Sequence, residues 1–130
     1  REYSPEYWPH EQGMARFCDM NKNFLNKAAL ENVLKKAPRE EMHILHLDES
    51  SVKKSNADAT GGEPIFKDGV GIGRVTSGTY GYTVGMSLAL AMIKDVRPGD
   101  EVYVMVLGKP HKAKILYEPP FDAKGEKLRA

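Results

Sequence analysis

Between Gly69 and Ala91 the chain reads Gly-Val-Gly-Ile-Gly-Arg-Val-Thr-Ser-Gly-Thr-Tyr-Gly-Tyr-Thr-Val-Gly-Met-Ser-Leu-Ala-Leu-Ala, six glycines set into a strand-like run. Glycine at that density inside β-type sequence marks bends and close backbone approaches, where a Cβ would collide or φ must be positive. A curved, closing sheet is the fold such a run permits. A dinucleotide loop is the competing expectation, since Gly71-Ile72-Gly73 begins like the phosphate fingerprint. That fingerprint needs a third small residue three positions after Gly73 and then a helix. The position holds Thr76, and Ser77-Gly78 interrupts the chain again, with no Gly-Lys-Ser/Thr following. The glycines are therefore read as bends.

The flanking sequence supplies the rest of a small antiparallel barrel. Glu41–Leu47 reads as a strand with Met42, Ile44 and His46 on one face and His43, Leu45 and Leu47 on the other. Pro64-Ile65-Phe66 and Val70-Gly71-Ile72 flank Lys67-Asp68-Gly69, a hairpin signal because Asp-Gly tolerates positive φ. Met86–Ile93 is ambiguous by periodicity, but its place between glycine bends and the turn Arg97–Asp100 favours a strand. Val102, Val104 and Val106 alternate with Tyr103, Met105 and Leu107. After a turn at Leu107-Gly108-Lys109-Pro110, Ala113, Ile115 and Tyr117 alternate with Lys112, Lys114 and Leu116. Tyr80 and Tyr82 are expected to pack on the barrel.

One helix is expected between Asn21 and Pro38, with Leu30, Val33 and Leu34 on its stripe and Pro38 ending it. From Glu49 to Gly62 the composition turns to small and polar residues, which predicts an exposed loop. The fold class is thus mainly β with a helical leader, a small antiparallel β-barrel. Two regions follow, 1–38 as leader and helix and 39–130 as barrel.

Composition narrows the chemistry. At 130 residues there is room for one core, and 19 basic against 18 acidic residues call for no nucleic-acid partner. The single cysteine, Cys18, excludes an internal disulfide, fits a reducing compartment and is expected to be a buried, inert thiol. His43 and His46 face opposite ways along a strand, and His10 and His111 lie far off in sequence, so no metal site is expected. No apolar run approaches a membrane span. The opening Arg1-Glu2-Tyr3-Ser4 lacks an initiator methionine, and the aromatic stretch to Pro9 shows no period, which suggests a piece of something larger.

Five motifs in order carry a resemblance: Glu11-Gln12-Gly13-Met14, Asn23-Phe24-Leu25-Asn26-Lys27-Ala28-Ala29-Leu30, Gly73-Arg74-Val75-Thr76-Ser77-Gly78-Thr79-Tyr80-Gly81-Tyr82, Ser87-Leu88-Ala89-Leu90-Ala91 and Glu118-Pro119-Pro120-Phe121-Asp122. Together they resemble the C-terminal part of the aminomethyltransferase family, which includes the glycine-cleavage T-protein and the folate-linked halves of dimethylglycine and sarcosine dehydrogenases. Departures from the family pattern are Gln12 for alanine, Asn26 for glycine, and Lys27-Ala28-Ala29 for Lys-Glu-Ala. The closing Glu-Pro-Pro-Phe-Asp looks closest to the dehydrogenase-linked members.

The resemblance implies one-carbon transfer from an N-methyl or aminomethyl donor to tetrahydrofolate. The family's acidic catalytic residue lies upstream of this chain, which leaves it catalytically incomplete, with no catalytic residue assigned here. Residues 1–38 would then be the tail of the folate-binding domain, and the partner would be the remainder of that domain. The aromatic position after the first motif aligns with Arg16 or Phe17, which would lie along the pterin or benzoyl ring. Arg129 matches a basic residue that approaches the folate, where its fork suits a carboxylate. FAD would belong to the parent rather than to this chain, and the cytoplasm or mitochondrial matrix would be the location. The regulatory subunit of pyruvate dehydrogenase phosphatase resembles the same dehydrogenases, so a non-enzymatic interaction module is the alternative.

Overall fold

The structure, a computed structural model, describes residues 2–130. Six strands close into an antiparallel barrel: β1 (Glu41–Leu47), β2 (Pro64–Lys67), β3 (Val70–Gly81), β4 (Met86–Ile93), β5 (Glu101–Val106) and β6 (Lys109–Ile115). Their order around the wall is β1-β4-β3-β2-β5-β6, and β6 returns to β1 through Leu45 opposite Ile115. Closure gives every strand a hydrogen-bonded neighbour on each side. The interior follows from period-two alternation: Leu45, Leu47, Ala89, Ala91, Ile93, Val102, Val104, Val106, Ala113 and Ile115 are all buried in one cluster.

Two tight turns are set by backbone conformation. Asp68 and Gly69 take φ of 51° and 79° between paired Lys67 and Val70, and Leu107 and Gly108 take 49° and 73° between paired Val106 and Lys109. Positive φ at both central residues matches the strand twist of a two-residue hairpin. The second turn is thus tighter than the four residues expected, because Lys109 and Pro110 already pair in β6.

The glycine-rich run is β3 and the turn beyond it. Two bulges bend this strand: the register skips Ile72 against β2 and Thr76 against β4. A bulge increases local twist and bends the strand. At the second, the buried Thr76 hydroxyl donates to the Leu90 carbonyl at 3.1 Å. Close approach explains two of the glycines, since a Cβ at Gly73 would strike the Met92 carbonyl and one at Gly78 the Ala59 carbonyl.

Four expectations are corrected. The leader helix, α1 (Lys27–Leu34), is only eight residues long, because Asn26 sits in the left-handed region at φ 63° and the chain is not helical before it. The polar stretch after β1 is not a loop throughout: α2 (Glu49–Ser55) forms there. Asp48 caps it by accepting from the Ser51 amide, Asn56 ends it at φ 51°, and Val52 and Ala57 pack against the barrel core. Tyr117 lies beyond the end of β6 and is exposed, so the return strand is one alternation shorter than expected. Tyr82 follows the last residue of β3 and is 89% exposed, its ring edge-on to Tyr80 at 5.1 Å rather than on the barrel.

Candidate functional site

The most tightly determined polar cluster joins the leader to the barrel. Glu11 has 0% exposure, and its carboxylate accepts from the Trp8 amide at 2.8 Å, the Arg39 amide at 2.8 Å, and Arg39 Nε and Nη2 at 2.8 and 2.7 Å. The Arg39 fork engages both oxygens, the geometry in which a buried charge is satisfied. Hydrogen bonding from Arg39 is the main reason the Glu11 carboxyl is held down to about 2, against the opposing effect of burial. Arg39 also lies 4.5 Å over the Trp8 ring, and the Glu11 carbonyl accepts from the Met42 amide of β1 at 2.8 Å. Beside it the Tyr7 hydroxyl donates to Glu40 at 3.0 Å and accepts from Arg74 Nη2 of β3 at 2.6 Å. Burial, reinforced by Glu40, raises the Tyr7 phenol above its ordinary value. These contacts bolt the leader to β1 and β3, a structural task.

A second cluster closes one end of the barrel. His111 of β6 points inward and is buried; its Nδ1 lies 3.0 Å from the Lys109 carbonyl and its Nε2 2.7 Å from Ser55 Oγ at the end of α2. A carbonyl only accepts, so Nδ1 carries the proton and, in the neutral ring, Nε2 accepts from the Ser55 hydroxyl. Asp58 accepts from Ser87 of β4 at 2.5 Å on the same side. Polar sequence that cannot order itself is ordered here by the barrel it covers.

The residues expected to meet folate lie elsewhere. Arg16 and Phe17 belong to a 3-10 turn at Ala15–Phe17, with the guanidinium 4.8 Å from the ring centre. Phe17 is 63% exposed and, with Cys18, Phe24 and Leu30, borders a concavity of about 360 Å³. Cys18 is half-buried rather than enclosed, its thiol 3.9 Å from the Met14 carbonyl, because the leader around it is only partly covered. Arg129 is exposed, does not line that concavity, and donates through Nη2 to the carbonyl of Lys124 in its own tail. Arg16 and Phe17 are thus brought together, and Arg129 stands apart from them. Among the described residues no three His, Cys, Asp or Glu side chains cluster to hold a metal, and no helix is long and apolar enough to cross a membrane.

Sequence reasoning did not find Arg39 or the Ser55–His111 pair. Arg39 is 28 residues from Glu11, and nothing local signals that pairing. The inward phase of His111 was available from its alternation with Ala113 and Ile115, but not the partner above it.

A closed antiparallel barrel with a leader clamped to it by a buried carboxylate defines the module. The description "Glycine cleavage T-protein C-terminal barrel domain" matches residues 41–122, and the chain belongs to that family. It is 31% identical over 112 residues to an aminomethyltransferase of Thermotoga neapolitana, covering 85% of this chain and 29% of that protein. It is 34% identical over 115 residues to the human mitochondrial dimethylglycine dehydrogenase, covering 85% of this chain and 13% of that one. The crystal structure of a glycine cleavage system aminomethyltransferase T from Bartonella henselae superposes with a TM-score of 0.79 at 20% identity, over 94% of this chain and 34% of that chain. The resemblance carried by the five motifs and the barrel expected from the strand periods are both shown. The chain spans between 13% and 34% of the length of these relatives.

Proposed function

We infer that this chain is the closing barrel of a folate-dependent one-carbon transferase or demethylating dehydrogenase, and that it is catalytically incomplete by itself. The observation that carries this reading is the family match over 41–122 together with relatives named as an aminomethyltransferase and a dimethylglycine dehydrogenase. In the parent, an N-methyl or aminomethyl donor passes a one-carbon unit to tetrahydrofolate, and the acidic group that activates the exchange lies outside this chain. Residues 1–38 are the tail of the folate-binding domain and 39–130 the barrel, with the rest of that domain as partner. FAD, where the parent uses it, is held elsewhere.

Phe17 and Arg16 suit a stacked heteroaromatic ring, since an exposed aromatic face already carries a guanidinium at 4.8 Å. Arg129 supplies an exposed fork for a carboxylate. The setting is the cytoplasm or the mitochondrial matrix, and the word mitochondrial in the human relative's printed name supports the second.

Calorimetric titration with tetrahydrofolate decides the reading. The complete gene product is expected to bind with measurable heat, weakened in Phe17→Ala and Arg129→Ala, while the isolated chain gives none. Methylene-tetrahydrofolate formation by the isolated chain, or no folate binding by the complete product, would overturn it.

A further inference from the structure

The cluster that fastens the leader to the barrel has an outer side. Glu6, Tyr7, Arg39, Glu40, Arg74 and Lys94 line an open concavity of about 470 Å³, contributed by the leader, the run into β1, β3 and the segment after β4. Burial divides the charges unequally. The Glu11 carboxylate is sealed at 0% exposure and the Glu40 side chain is 25% exposed, whereas their partners Arg39 and Arg74 remain 53% and 50% exposed. Lys94 is exposed, and its ammonium makes no ion pair among the described residues. Glu6 is the only exposed carboxylate of the lining, so a solute entering the concavity meets a mainly cationic surface.

Both guanidiniums are held in place without a ligand. Arg39 is fixed through Nε and Nη2 on Glu11, through Nη2 on the Glu6 carbonyl at 2.7 Å, and by the Trp8 ring. Arg74 donates from Nη2 to the Tyr7 hydroxyl, while its Nη1 stands 3.9 Å from Glu40, too far for a hydrogen bond. Among the described residues Nη1 of neither arginine has a hydrogen-bond partner. Burial, reinforced by Glu40, holds the Tyr7 phenol above its ordinary value, so it adds no negative charge. Immobilised guanidiniums with unused N–H groups suit an oxyanion, because little order remains to be imposed on binding. Three cations facing one exposed carboxylate favour a doubly charged ligand over a singly charged one. They share one concavity, so the charge is best matched when both units sit on one centre. A second concavity of about 520 Å³ shares Glu6, Tyr7 and Arg74 and runs on to Gly61, Gly62 and Thr76, which leaves room for a body attached to the anion.

We propose that Arg39, Arg74 and Lys94 form a binding site for the phosphate group of a small phosphate monoester, in the cleft between the leader and the barrel. The inference stands apart from the folate reading, since none of Arg16, Phe17 and Arg129 lines this cleft.

Calorimetric titration of the complete gene product with phenyl phosphate tests it. Binding is expected with a dissociation constant of about 1 mM or tighter. Succinate, whose two charges lie on separate carboxylates, should bind at least about tenfold more weakly. Lys94→Gln should weaken phenyl phosphate about tenfold with an unchanged melting temperature, because that ammonium holds nothing inside the protein. Arg74→Gln should weaken it at least as much. Lys114→Gln, which removes an exposed lysine of β6 outside the cleft, should leave the affinity unaltered. No heat with phenyl phosphate overturns the proposal. Equal affinity in Lys94→Gln and the unaltered protein also overturns it, as do equal losses in Lys94→Gln and Lys114→Gln, or succinate bound as tightly as the phosphate ester.

Discussion

The barrel and its leader treat apolar residues in opposite ways. Leu45 and Leu47 on β1 are fully enclosed, while Leu25, two positions before α1, is almost fully open. Both regions contain leucine and valine, so the residue type alone does not decide burial. Closure does: six strands wrap every inward side chain, whereas an eight-residue helix has one stripe and needs a neighbour to cover it. The leader is held by polar contacts to Arg39, Glu40 and Arg74 instead.

The largest test of that contrast is aliphatic truncation. Leu47→Ala should destabilise by about 3 kcal/mol through lost burial and the cavity left behind, whereas Leu25→Ala should change stability by less than about 0.5 kcal/mol. Urea melts of the two variants read this directly; equal losses would break the distinction between the regions.

Next comes the clamp. Glu11→Gln should cost about 2 kcal/mol, less than for a fully buried pair because the Arg39 side chain is 53% exposed and regains water. Limited proteolysis should then cut the leader before the barrel; an intact leader would show the clamp to be dispensable. The pH dependence has a definite sign. The Glu11 carboxyl is lowered from 4.5 to about 2 on folding, so its contribution is complete above about 4.5 and fades as pH falls towards 2. Thermal melts of Glu11→Gln should lack that acid-dependent loss.

A smaller effect is expected at the barrel end. Ser55→Ala leaves the buried His111 Nε2 without its hydroxyl and should cost about 1 kcal/mol, with faster amide exchange in α2. Unchanged exchange would mean that Val52 and Ala57 suffice to seat the helix. The smallest change is a gain: Leu107, exposed at φ 49°, should be replaced by asparagine with a stabilisation of about 0.5 kcal/mol, since asparagine enters the left-handed region more readily. A melting temperature that does not rise would place no strain at that turn.

Much of the barrel was legible in the residues because its signals are local. Val102, Val104 and Val106 point inward by alternation, and Asp68-Gly69 turns the chain because those residues accept positive φ. The bends expected from glycine density are bulges at Ile72 and Thr76, with Gly73 and Gly78 providing close contact. The clamp was not legible: Glu11 belonged to a recognised motif, but its partner is an ordinary arginine far along the chain. Nor did composition reveal α2, whose apolar contribution is little more than Val52 and the alanines that follow.

The residue pattern by itself determined strand phase, the Asp68-Gly69 turn and the family, because alternation and backbone preference act over a few neighbouring residues. Only the tertiary structure decided that Glu49–Ser55 would be a helix, that Tyr82 and Tyr117 would fall outside the barrel, and that Glu11 would meet Arg39. Those outcomes depend on which surfaces are brought together when the barrel closes. A buried carboxylate or a marginal helix is stable only where distant parts of the chain supply its partners.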